Sequence, residues 1–534
     1  MKTFKRYYYD VAYLTEQHHN TIMANWEAMV KSSEELYAAV EIMSAIDDAN
    51  KECLIVGGAV RDMIMGKEPH DIDLATNLHL DHVEKLLKKS LHPPPSIHNI
   101  GNSLDFGVIS VVYKNYTFEL AHYRTEVGHR MSAEVELVQD FTEDSNRRDI
   151  TINSMGMKMS GVILDPNNGR EDIKNKVIRA VGDPRHRMKE DPLRMLRAIR
   201  FAAKFDFKMD DELKAAIAEQ KDDLFRDEEA GVEGVSPERL GSELWKAASV
   251  SGPALANYVQ QLKENGLLEK FLPEIDVMDQ YEQSKEHHPE GNVYNHTLEV
   301  LKASKVTGNP VAMLATLFHD VGKPVTYEYI EPTEDSPEGK HTYYGHDAEG
   351  EKLWHAISDR LRYPTNVKKG IGQVIANHMF PYALLKPEGG GRPSDDKIVK
   401  NTLGLEPNVT ITYGGEEYDI NLQEVLRSVN DADIDGRPSD GEVTSKRQSG
   451  DKETIWNDVG RVTKKFGDAQ AIKAKMQNII NGDKIKQWFP DLQAGPIFGQ
   501  IIDATKEWVY NQHPTGVPSD EETRLFVTDY LENT

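Results

Sequence analysis

The fold is decided by two short stretches of sequence, CLIVGGAVRD at residues 53–62 and DID at residues 71–73. The first predicts a strand that runs into a paired-glycine turn at Gly57 and Gly58, because an apolar run directly precedes the two glycines. The second predicts a short strand in which Asp71 and Asp73 point to the same face. Two carboxylates on one face suit a pair of divalent cations such as Mg²⁺, and glycines let backbone amides approach a triphosphate. This combination is typical of nucleotidyl transfer.

Composition limits the class of protein. The 534 residues are enough for about three or four domains. The 39% hydrophobic and 28% charged residues are typical of a soluble globular chain. A single cysteine, Cys53, excludes a disulfide within the chain and favours a reducing compartment. Neither an apolar run of roughly 18 residues nor a signal-peptide pattern occurs. We therefore expect a cytoplasmic protein with no membrane partner.

The charge of the chain is unevenly distributed. A formal net charge of −25 argues against diffuse nucleic-acid binding, and we expect no DNA partner. Residues 145–208 nevertheless contain 15 Lys or Arg against 8 Asp or Glu. A basic segment that follows a metal-binding site is where a polyanionic substrate is expected to lie. The alternative is an ordinary solvated helix face.

The pattern along the chain predicts an α+β fold. Short β-branched and aromatic runs at residues 54–56, 108–113, 117–123 and 135–137 alternate with polar turns up to about residue 164. This pattern predicts a nucleotidyltransferase head with a small mixed β-sheet. Helical periodicity begins near residue 191 and is expected to dominate to the end. The predicted order is an N-terminal helical extension (1–46), the head (47–164), an elongated all-helical neck and body (165–275), a helical HD domain (276–440) and a helical tail (441–534).

A bare Asp-x-Asp is weak evidence in a chain with 88 acidic residues, because residues 431–433 offer a second example. Longer stretches are more specific: residues 55–62 and 70–76 resemble the signature of class II CCA-adding enzymes and bacterial poly(A) polymerases. The resemblance implies that Asp71 and Asp73 are catalytic and hold Mg²⁺. It also implies nucleotide contacts by Gly57, Gly58 and Arg61.

Two further blocks follow in the order that this family has them. Glu119 lies on a predicted strand and is a candidate third catalytic carboxylate, although an exposed strand glutamate is the alternative. Residues 146–155 resemble the ribose-selecting motif of the family, with serine where alanine is commoner. Adjacent arginines can bind phosphate or ribose oxygens, and a structural ion pair between Arg148 and Asp149 is the alternative. The resemblance implies nucleotide contacts by Arg147, Arg148, Asp149 and Asn153.

A third block, residues 189–201, predicts an amphipathic helix with Asp191 as its N-cap and Pro192 in its first turn. Asp191 and Arg194 then share a face. The resemblance implies that this pair is a protein template that reads the nucleotide base, with Arg197 as a further nucleotide contact. The alternative is a capped helix with no such role.

A different chemistry follows downstream. His296, His319-Asp320 at the end of an apolar helix, and Asp433 resemble the ordered ligands of HD-domain phosphohydrolases, and His346 and His378 can extend the site to a second metal. Histidine and carboxylate ligands together suit Mn, Ni, Fe, Zn or Mg, of which we expect Ni²⁺ or Mn²⁺. An insertion around residues 389–418 lengthens the spacing before Asp433. Asp431 and Asp435 therefore remain alternatives for the last ligand.

These resemblances imply a CCA tRNA nucleotidyltransferase that adds C, C and A to tRNA 3′ ends from CTP and ATP, with a metal-dependent phosphohydrolase for RNA end repair. A poly(A) polymerase shares the head motifs and is the first alternative. A non-catalytic RNA-binding scaffold is the alternative of another class. The expected partners are tRNA, CTP and ATP.

Overall fold

The computed structural model describes residues 26–69, 71–99, 107–127, 134–225, 234–284, 288–332, 339–385, 394, 409–437, 452–461, 479–493, 495–512 and 518–532. Its α-carbon contacts divide the chain into two compact units. The first unit comprises Met1–Tyr281, Thr297–Leu314 and Ala356–Tyr363. The second comprises Glu282–His296, Ala315–His355 and Pro364–Thr534.

The strand that precedes the paired glycines lies inside a seven-stranded sheet, in the order β3-β4-β5-β2-β1-β8-β9. The strands of this sheet are β1 (Cys53–Val56), β2 (Asp73–Thr76), β3 (Ser96–Asn99), β4 (Val108–Tyr113), β5 (Tyr116–His122), β8 (Gly156–Met157) and β9 (Ile163–Leu164). Strand β2 pairs parallel with β5, and every other pairing in this sheet is antiparallel. A mixed sheet in the head is therefore confirmed.

All four residues of β1 are buried, because both faces of this strand are covered. Cys53 and Ile55 enter a large core shared with the helices, and Leu54 and Val56 enter a smaller cluster on the opposite face. This alternation follows the two-residue period of a strand. A continuous apolar run is what a strand buried on both faces requires.

The predicted N-terminal extension includes a helical segment at 26–32 and helix α1 (Glu34–Asp47), and residues 1–25 lie outside the described residues. The hydroxyl of Ser33 caps α1 by accepting the Leu36 amide at 3.2 Å. The buried side chains of α1 belong to the same apolar core as the sheet. This helix is therefore part of the packing that supports the head.

Helices make up most of the remainder of the first unit. They are α2 (Gly58–Ile64), α3 (Leu80–Ser90), α4 (Phe141–Asn146), α5 (Gly169–Asn175), α6 (Pro184–Glu190), α7 (Leu193–Phe205), α8 (Asp211–Gln220), α9 (Pro237–Ala248), α10 (Gly252–Glu264), α11 (Leu268–Phe271) and α12 (Pro273–Asp276). Two small ladders also occur, β6 (Arg124–Val127) with β7 (Glu134–Leu137), and β10 (Val177–Ile178) with β11 (Lys208–Met209). The second ladder lies within residues 165–275, so the predicted neck and body are helical but not all-helical.

Downstream, the helices are α13 (Val293–Ala303), α14 (Pro310–Phe318), α15 (His346–Arg360), α16 (Thr365–Asn377), α17 (Leu422–Asp435), α18 (Gly482–Trp488), α19 (Pro496–Gln512) and α20 (Asp520–Glu532). Helices dominate this part of the described chain, as predicted, but short strands also occur. Two antiparallel hairpins occur, β12 (Glu328–Ile330) with β13 (Lys340–Thr342), and β14 (Val409–Tyr413) with β15 (Glu416–Ile420). The second hairpin occupies the end of the predicted insertion at 389–418, most of which lies outside the described residues. Among the described helices, none is both long and apolar enough to cross a membrane.

Candidate active site and candidate metal centre

The prediction that Asp71 and Asp73 lie on one strand and share its face is wrong. Strand β2 begins at Asp73, whereas Asp71 precedes it in a left-handed conformation with φ of 56°. Aspartate tolerates this conformation better than most residues because its short side chain bonds locally. Asp71 is exposed and Asp73 is half-buried. The two carboxylates therefore reach the same region from a turn and from a strand end.

The sheet register places Asp73 beside Glu119. Val56 of β1 pairs with Asp73, and on the other side the parallel ladder pairs Leu74 with Leu120. Burial raises the pKa of Asp73 to about 6, helped by the charges of Glu119 and Asp71 and opposed by Arg148. A carboxyl group with two like charges near it is destabilised as an anion, and a divalent cation relieves that repulsion. We call Asp71, Asp73 and Glu119 the head site.

The paired glycines belong to the same region. Gly57 has φ of 74°, and a Cβ added to it would lie 3.2 Å from Nη1 of Arg148. Its amide donates to the Met155 carbonyl at 3.1 Å, so this N–H is engaged within the head. Gly58 opens helix α2. The Gly57 amide, which was predicted to approach a triphosphate, is therefore already hydrogen-bonded within the protein.

Arg61 and Asn153, both predicted nucleotide contacts, are bonded to each other. The Arg61 guanidinium donates to Oδ1 of Asn153 at 2.5 Å and to the carboxylate of Asp62 at 2.8 and 3.0 Å. The same group lies 4.7 Å from the ring centroid of Phe205 and 5.5 Å from that of Phe201. Arg61 is only 4% exposed. These contacts give both residues a packing role in the protein without nucleotide.

The two adjacent arginines share one carboxylate that the sequence reasoning missed. Arg147 donates to Asp144 at 2.9 Å, and Arg148 donates to the same carboxylate at 3.2 Å. Burial alone would raise the pKa of Asp144, but the two arginines outweigh it and hold the pKa below its ordinary value. The considered ion pair between Arg148 and Asp149 is wrong, because Arg148 pairs with Asp144. A spacing of three and four residues on a helix was the available signal.

Asp149 pairs with Arg197 of helix α7. The guanidinium of Arg197 donates to Oδ2 of Asp149 at 2.8 Å, and the Ile150 amide donates to Oδ1 at 2.9 Å. Burial opposes ionisation of Asp149, but Arg197 lowers its pKa overall. Two predicted nucleotide contacts are therefore brought together as an ion pair between head and neck.

The predicted template residues lie near each other but have separate partners. Asp191 directly precedes Pro192, and its carboxylate accepts from Nη2 of Arg239 at 2.7 and 2.9 Å. Arg194 bonds Glu190 and donates to the carbonyls of Arg187 and Arg147, each at 3.1 Å. Helix α7 begins at Leu193, so Asp191 is not its N-cap residue, although its carboxylate accepts the Leu193 amide at 3.3 Å. The sequence reasoning did not identify Arg239 as a site residue.

The second candidate site gathers all six predicted metal ligands in the second unit. His296 lies in α13, His319 and Asp320 follow α14, His346 begins α15, His378 follows α16, and Asp433 lies in α17. Asp320 is central: His319, His346 and His378 each place Nε2 within 3.2 to 3.6 Å of its carboxylate oxygens. We call these six residues the histidine cluster.

Asp433, and not its neighbours, faces the cluster. Its Oδ1 lies 3.0 Å from Nε2 of His296. Asp431 instead accepts from the Trp456 indole at 2.9 Å, and Asp435 pairs with Lys452. Of the three candidate aspartates on helix α17, Asp433 is therefore the one that points into the histidine cluster. Arg437, which the sequence reasoning missed, donates to Oδ1 of Asp433 at 2.9 Å.

The four imidazoles of the cluster are oriented alike. Nδ1 lies 2.7 Å from a backbone carbonyl in His319, His346 and His378, and the carbonyl belongs in each case to the third residue before it. In His296, Nδ1 lies 2.5 Å from Oε1 of Glu290. An acceptor at Nδ1 places the proton there and leaves the lone pair on Nε2. All four lone pairs then face the carboxylates of the cluster, as metal ligands require.

Burial and charge fit a cation at the cluster. Nε2 of His319 and Oδ2 of Asp320 are buried and lie 3.2 Å apart, and Nζ of Lys323 is the cation nearest to this oxygen, at 2.6 Å. Burial would raise the pKa of Asp433, but Arg437 and the neighbouring histidines hold it well below its ordinary value, so the carboxylate is charged. Among the described residues, three groups have ligand atoms all within 4.8 Å of one another, and all belong to this region. The groups are His288-Glu290-His296, His296-His319-Asp433 and Asp320-His346-His378.

Comparison with known families places the head site and most of the histidine cluster in segments that match different families. Residues 53–179 match the family described as "Poly A polymerase head domain", and residues 206–278 match "Probable RNA and SrmB- binding site of polymerase A". Residues 293–414 match the HD domain. The chain therefore carries a nucleotidyltransferase head of the poly(A) polymerase type together with an HD domain.

Two relatives that are similar to part of this chain are CCA-adding enzymes. The one from Lactobacillus helveticus is 36% identical over 211 residues, which is 39% of this chain and 49% of that relative. The one from Bacillus subtilis is 38% identical over 186 residues, 34% of this chain and 45% of the relative. The chain thus matches about half the length of these relatives.

A solved structure extends the similarity of fold. The CCA-adding enzyme of Bacillus stearothermophilus, solved in complex with CTP, aligns with a TM-score of 0.61 at 20% identity, covering 94% of this chain and 98% of that one. At this identity the likeness shows the fold alone. The predicted α+β class, a sheet-bearing head followed by helices, is confirmed.

Proposed function

We propose that this chain is a CCA tRNA nucleotidyltransferase that adds C, C and A to tRNA from CTP and ATP. The main support is the head site: the sheet register sets Glu119 beside Asp73, whose raised pKa reflects burial and neighbouring negative charge that Arg148 does not offset. The two relatives reported above, from Lactobacillus helveticus and Bacillus subtilis, are CCA-adding enzymes. This similarity favours CCA addition over poly(A) addition.

In this proposal, Asp71 and Asp73 hold Mg²⁺, with Glu119 as a third oxygen donor. Bound Mg²⁺ supplies activation of the terminal ribose 3′-hydroxyl and neutralisation of the leaving pyrophosphate. Arg148, which approaches Gly57 closely, is placed to bind a phosphate or ribose oxygen. Asp191 and Arg194 read the base after exchanging their present partners, Arg239 and Glu190, for base atoms.

The test is extension of an end-labelled tRNA that lacks its CCA end, with each nucleotide singly and with CTP and ATP together. We expect two additions with CTP alone and arrest after one final A with both nucleotides. A long A tail from ATP alone would make the chain a poly(A) polymerase. Absence of any extension by the folded protein would favour an RNA-binding scaffold.

We also propose that the HD domain is a phosphohydrolase that removes 2′,3′-cyclic or terminal phosphates from RNA ends. The uniform orientation of four imidazoles toward Asp320 and Asp433 supports it. The six residues of the histidine cluster would hold the metal, with Ni²⁺ or Mn²⁺ expected, and the metal would lower the pKa of a bound water. The check is the metal content of the purified protein, followed by release of phosphate from a cyclic-phosphate RNA end.

A further inference from the structure

The hairpin β12–β13 carries a row of aromatic rings on one face. Tyr329 lies directly opposite His341 in the register, with ring centroids 5.1 Å apart. Tyr327, which precedes β12, has its ring 5.8 Å from that of His341 and 5.7 Å from that of Tyr343, which follows β13. Residues two apart on a strand share a face. We call Tyr327, Tyr329, His341 and Tyr343 the aromatic ladder.

The ladder lies at the surface of the second unit. Tyr327 is 38% exposed and Tyr329 is 39% exposed. On the other face of the hairpin, Thr342 of β13 is buried, whereas Ile330 of β12 is 43% exposed. A contiguous exposed patch of this kind marks a surface that binds another molecule more often than single exposed rings do.

One end of the ladder touches the histidine cluster. Nζ of Lys323 lies 5.6 Å from the ring centroid of Tyr343 and 2.6 Å from Oδ2 of Asp320. The carbonyl of Tyr343 also bonds Nδ1 of His346, a member of the cluster. The ladder therefore adjoins the histidine cluster through Lys323 and through the backbone carbonyl of Tyr343.

We propose that the aromatic ladder is a stacking subsite for the bases of a single-stranded RNA 3′ end whose terminal phosphate lies at the histidine cluster. This inference rests on the proposed phosphohydrolase function and adds its substrate class. Stacking on aromatic rings is tolerant of sequence because every base has a π face. Lys323, buried between the ladder and Asp320, is placed to meet a phosphate that follows the stacked bases.

The experiment measures hydrolysis by the full-length protein of two tetranucleotides that end in a 2′,3′-cyclic phosphate, one with bases and one abasic at its last two positions. Tyr329→Ala is expected to raise KM for the base-bearing substrate by about 5- to 150-fold, the usual effect of one lost stacking partner. Its kcat and its KM for the abasic substrate should stay within about twofold of the unmodified protein's. Tyr329→Phe, which keeps the ring, should restore the lower KM.

Tyr344→Ala is the matched control, because Tyr344 is 77% exposed but lies in the turn after β13, outside the aromatic ladder. Equal changes for both substrates, or none for either, would overturn the proposal and leave the ladder as a contact face for a protein. Photo-crosslinking gives a second readout that needs no hydrolysis. An oligonucleotide with terminal 4-thiouridine and a 3′-phosphate should crosslink to the ladder.

Hydrolysis and crosslinking together distinguish failure of the proposed phosphohydrolase function from failure of the proposed stacking subsite. A folded protein that crosslinks at the ladder but hydrolyses neither substrate would refute the phosphohydrolase function and retain the stacking subsite. Hydrolysis of both substrates at equal KM, with crosslinks only outside residues 325–344, would refute the stacking subsite alone.

Discussion

The head site takes its carboxylates from a turn and from two strands that only the sheet brings together, whereas the histidine cluster takes its donors from helices and helix ends. In the head, Asp73 and Glu119 become neighbours through the parallel ladder of β2 and β5. In the cluster, three of four imidazoles are aimed by a carbonyl three residues earlier in their own segment. The first site depends on long-range register, and the second is oriented largely by local backbone.

The two sites also differ in the kind of cation they suit. The head site offers oxygen donors alone and is partly open, as Mg²⁺ prefers. The cluster offers imidazole nitrogens and buried carboxylates, which suit transition metals. If the sites are independent, each should be removable without loss of the other. Four experiments test this difference between the two sites.

The largest effect is expected from His319→Ala combined with Asp320→Ala. This variant removes the central carboxylate and one imidazole, so metal content at the cluster and cyclic-phosphate hydrolysis should both be lost. Nucleotide addition with Mg²⁺ should remain within about twofold. Metal analysis and tRNA extension on one preparation provide the check. Loss of nucleotide addition by a folded double variant would show that the cluster belongs to the tRNA-binding body.

Asp73→Ala should reduce nucleotide addition by at least about 100-fold, the scale on which charge-stabilising groups act. Asp71→Ala should do the same, because both carboxylates hold the metal in the proposed site. Single-turnover tRNA extension measures the loss, and metal content at the cluster should be unchanged. Addition at the normal rate by both variants would refute the head site.

Arg194→Ala should weaken discrimination among CTP, ATP, UTP and GTP by about tenfold, since a lost pair of base contacts has an effect of this order. The ratios of kcat/KM for the four nucleotides give the measurement. Arg185→Ala is the matched control, because Arg185 lies in the same basic segment but pairs with Glu219 at the surface. A proportional loss for all four nucleotides would make Arg194 a phosphate-binding or structural residue.

The smallest effect concerns stability. The pKa of Asp73 is raised from 3.8 to about 6, so its ionised form opposes folding above that pH when metal is absent. Asp73→Asn should therefore raise the free energy of unfolding in EDTA at about pH 8 by at most about 3 kcal/mol, less whatever solvent screening removes. The gain should shrink as pH falls through about 6 and vanish near pH 4. Denaturant titrations test this.

Asp71→Asn is the control for that experiment, because Asp71 is exposed and its substitution should change stability by no more than about 0.5 kcal/mol. A gain for Asp73→Asn that did not depend on pH would mean that relief of buried charge is not its cause.

Much of the fold followed from the sequence where one strand or helix carries its own signal. The predicted strands at 54–56, 108–113 and 117–123 and the apolar helix ending at Phe318 all appear in the structure. The hairpin β12–β13 was missed because strands of three residues carry too short an alternation to be recognised. Its aromatic face emerges only when the two strands pair.

The ion-pair partner of a charged side chain was less predictable than whether a segment forms a helix or a strand. The sequence made Asp149 the candidate partner of Arg148, but the helix turn directs Arg148 to Asp144, and Asp149 pairs with Arg197 from a helix 48 residues later. Two-residue spacing is compatible with a strand and so predicted one at Asp71, although the backbone there turns left-handed. The partner of each arginine depends on which carboxylate tertiary packing brings closest to it.

The stacking of Arg61 on Phe201 and Phe205 limits how this chain can be divided. A truncated chain that ended with the sheet would leave the guanidinium of Arg61 without its aromatic cover and Asp149 without Arg197. Buried charges stripped of their partners destabilise strongly. The segment proposed to perform transfer and the helix expected to select the base therefore depend on each other for stability. Exchanging heads between related enzymes would require helix α7 to be exchanged with them.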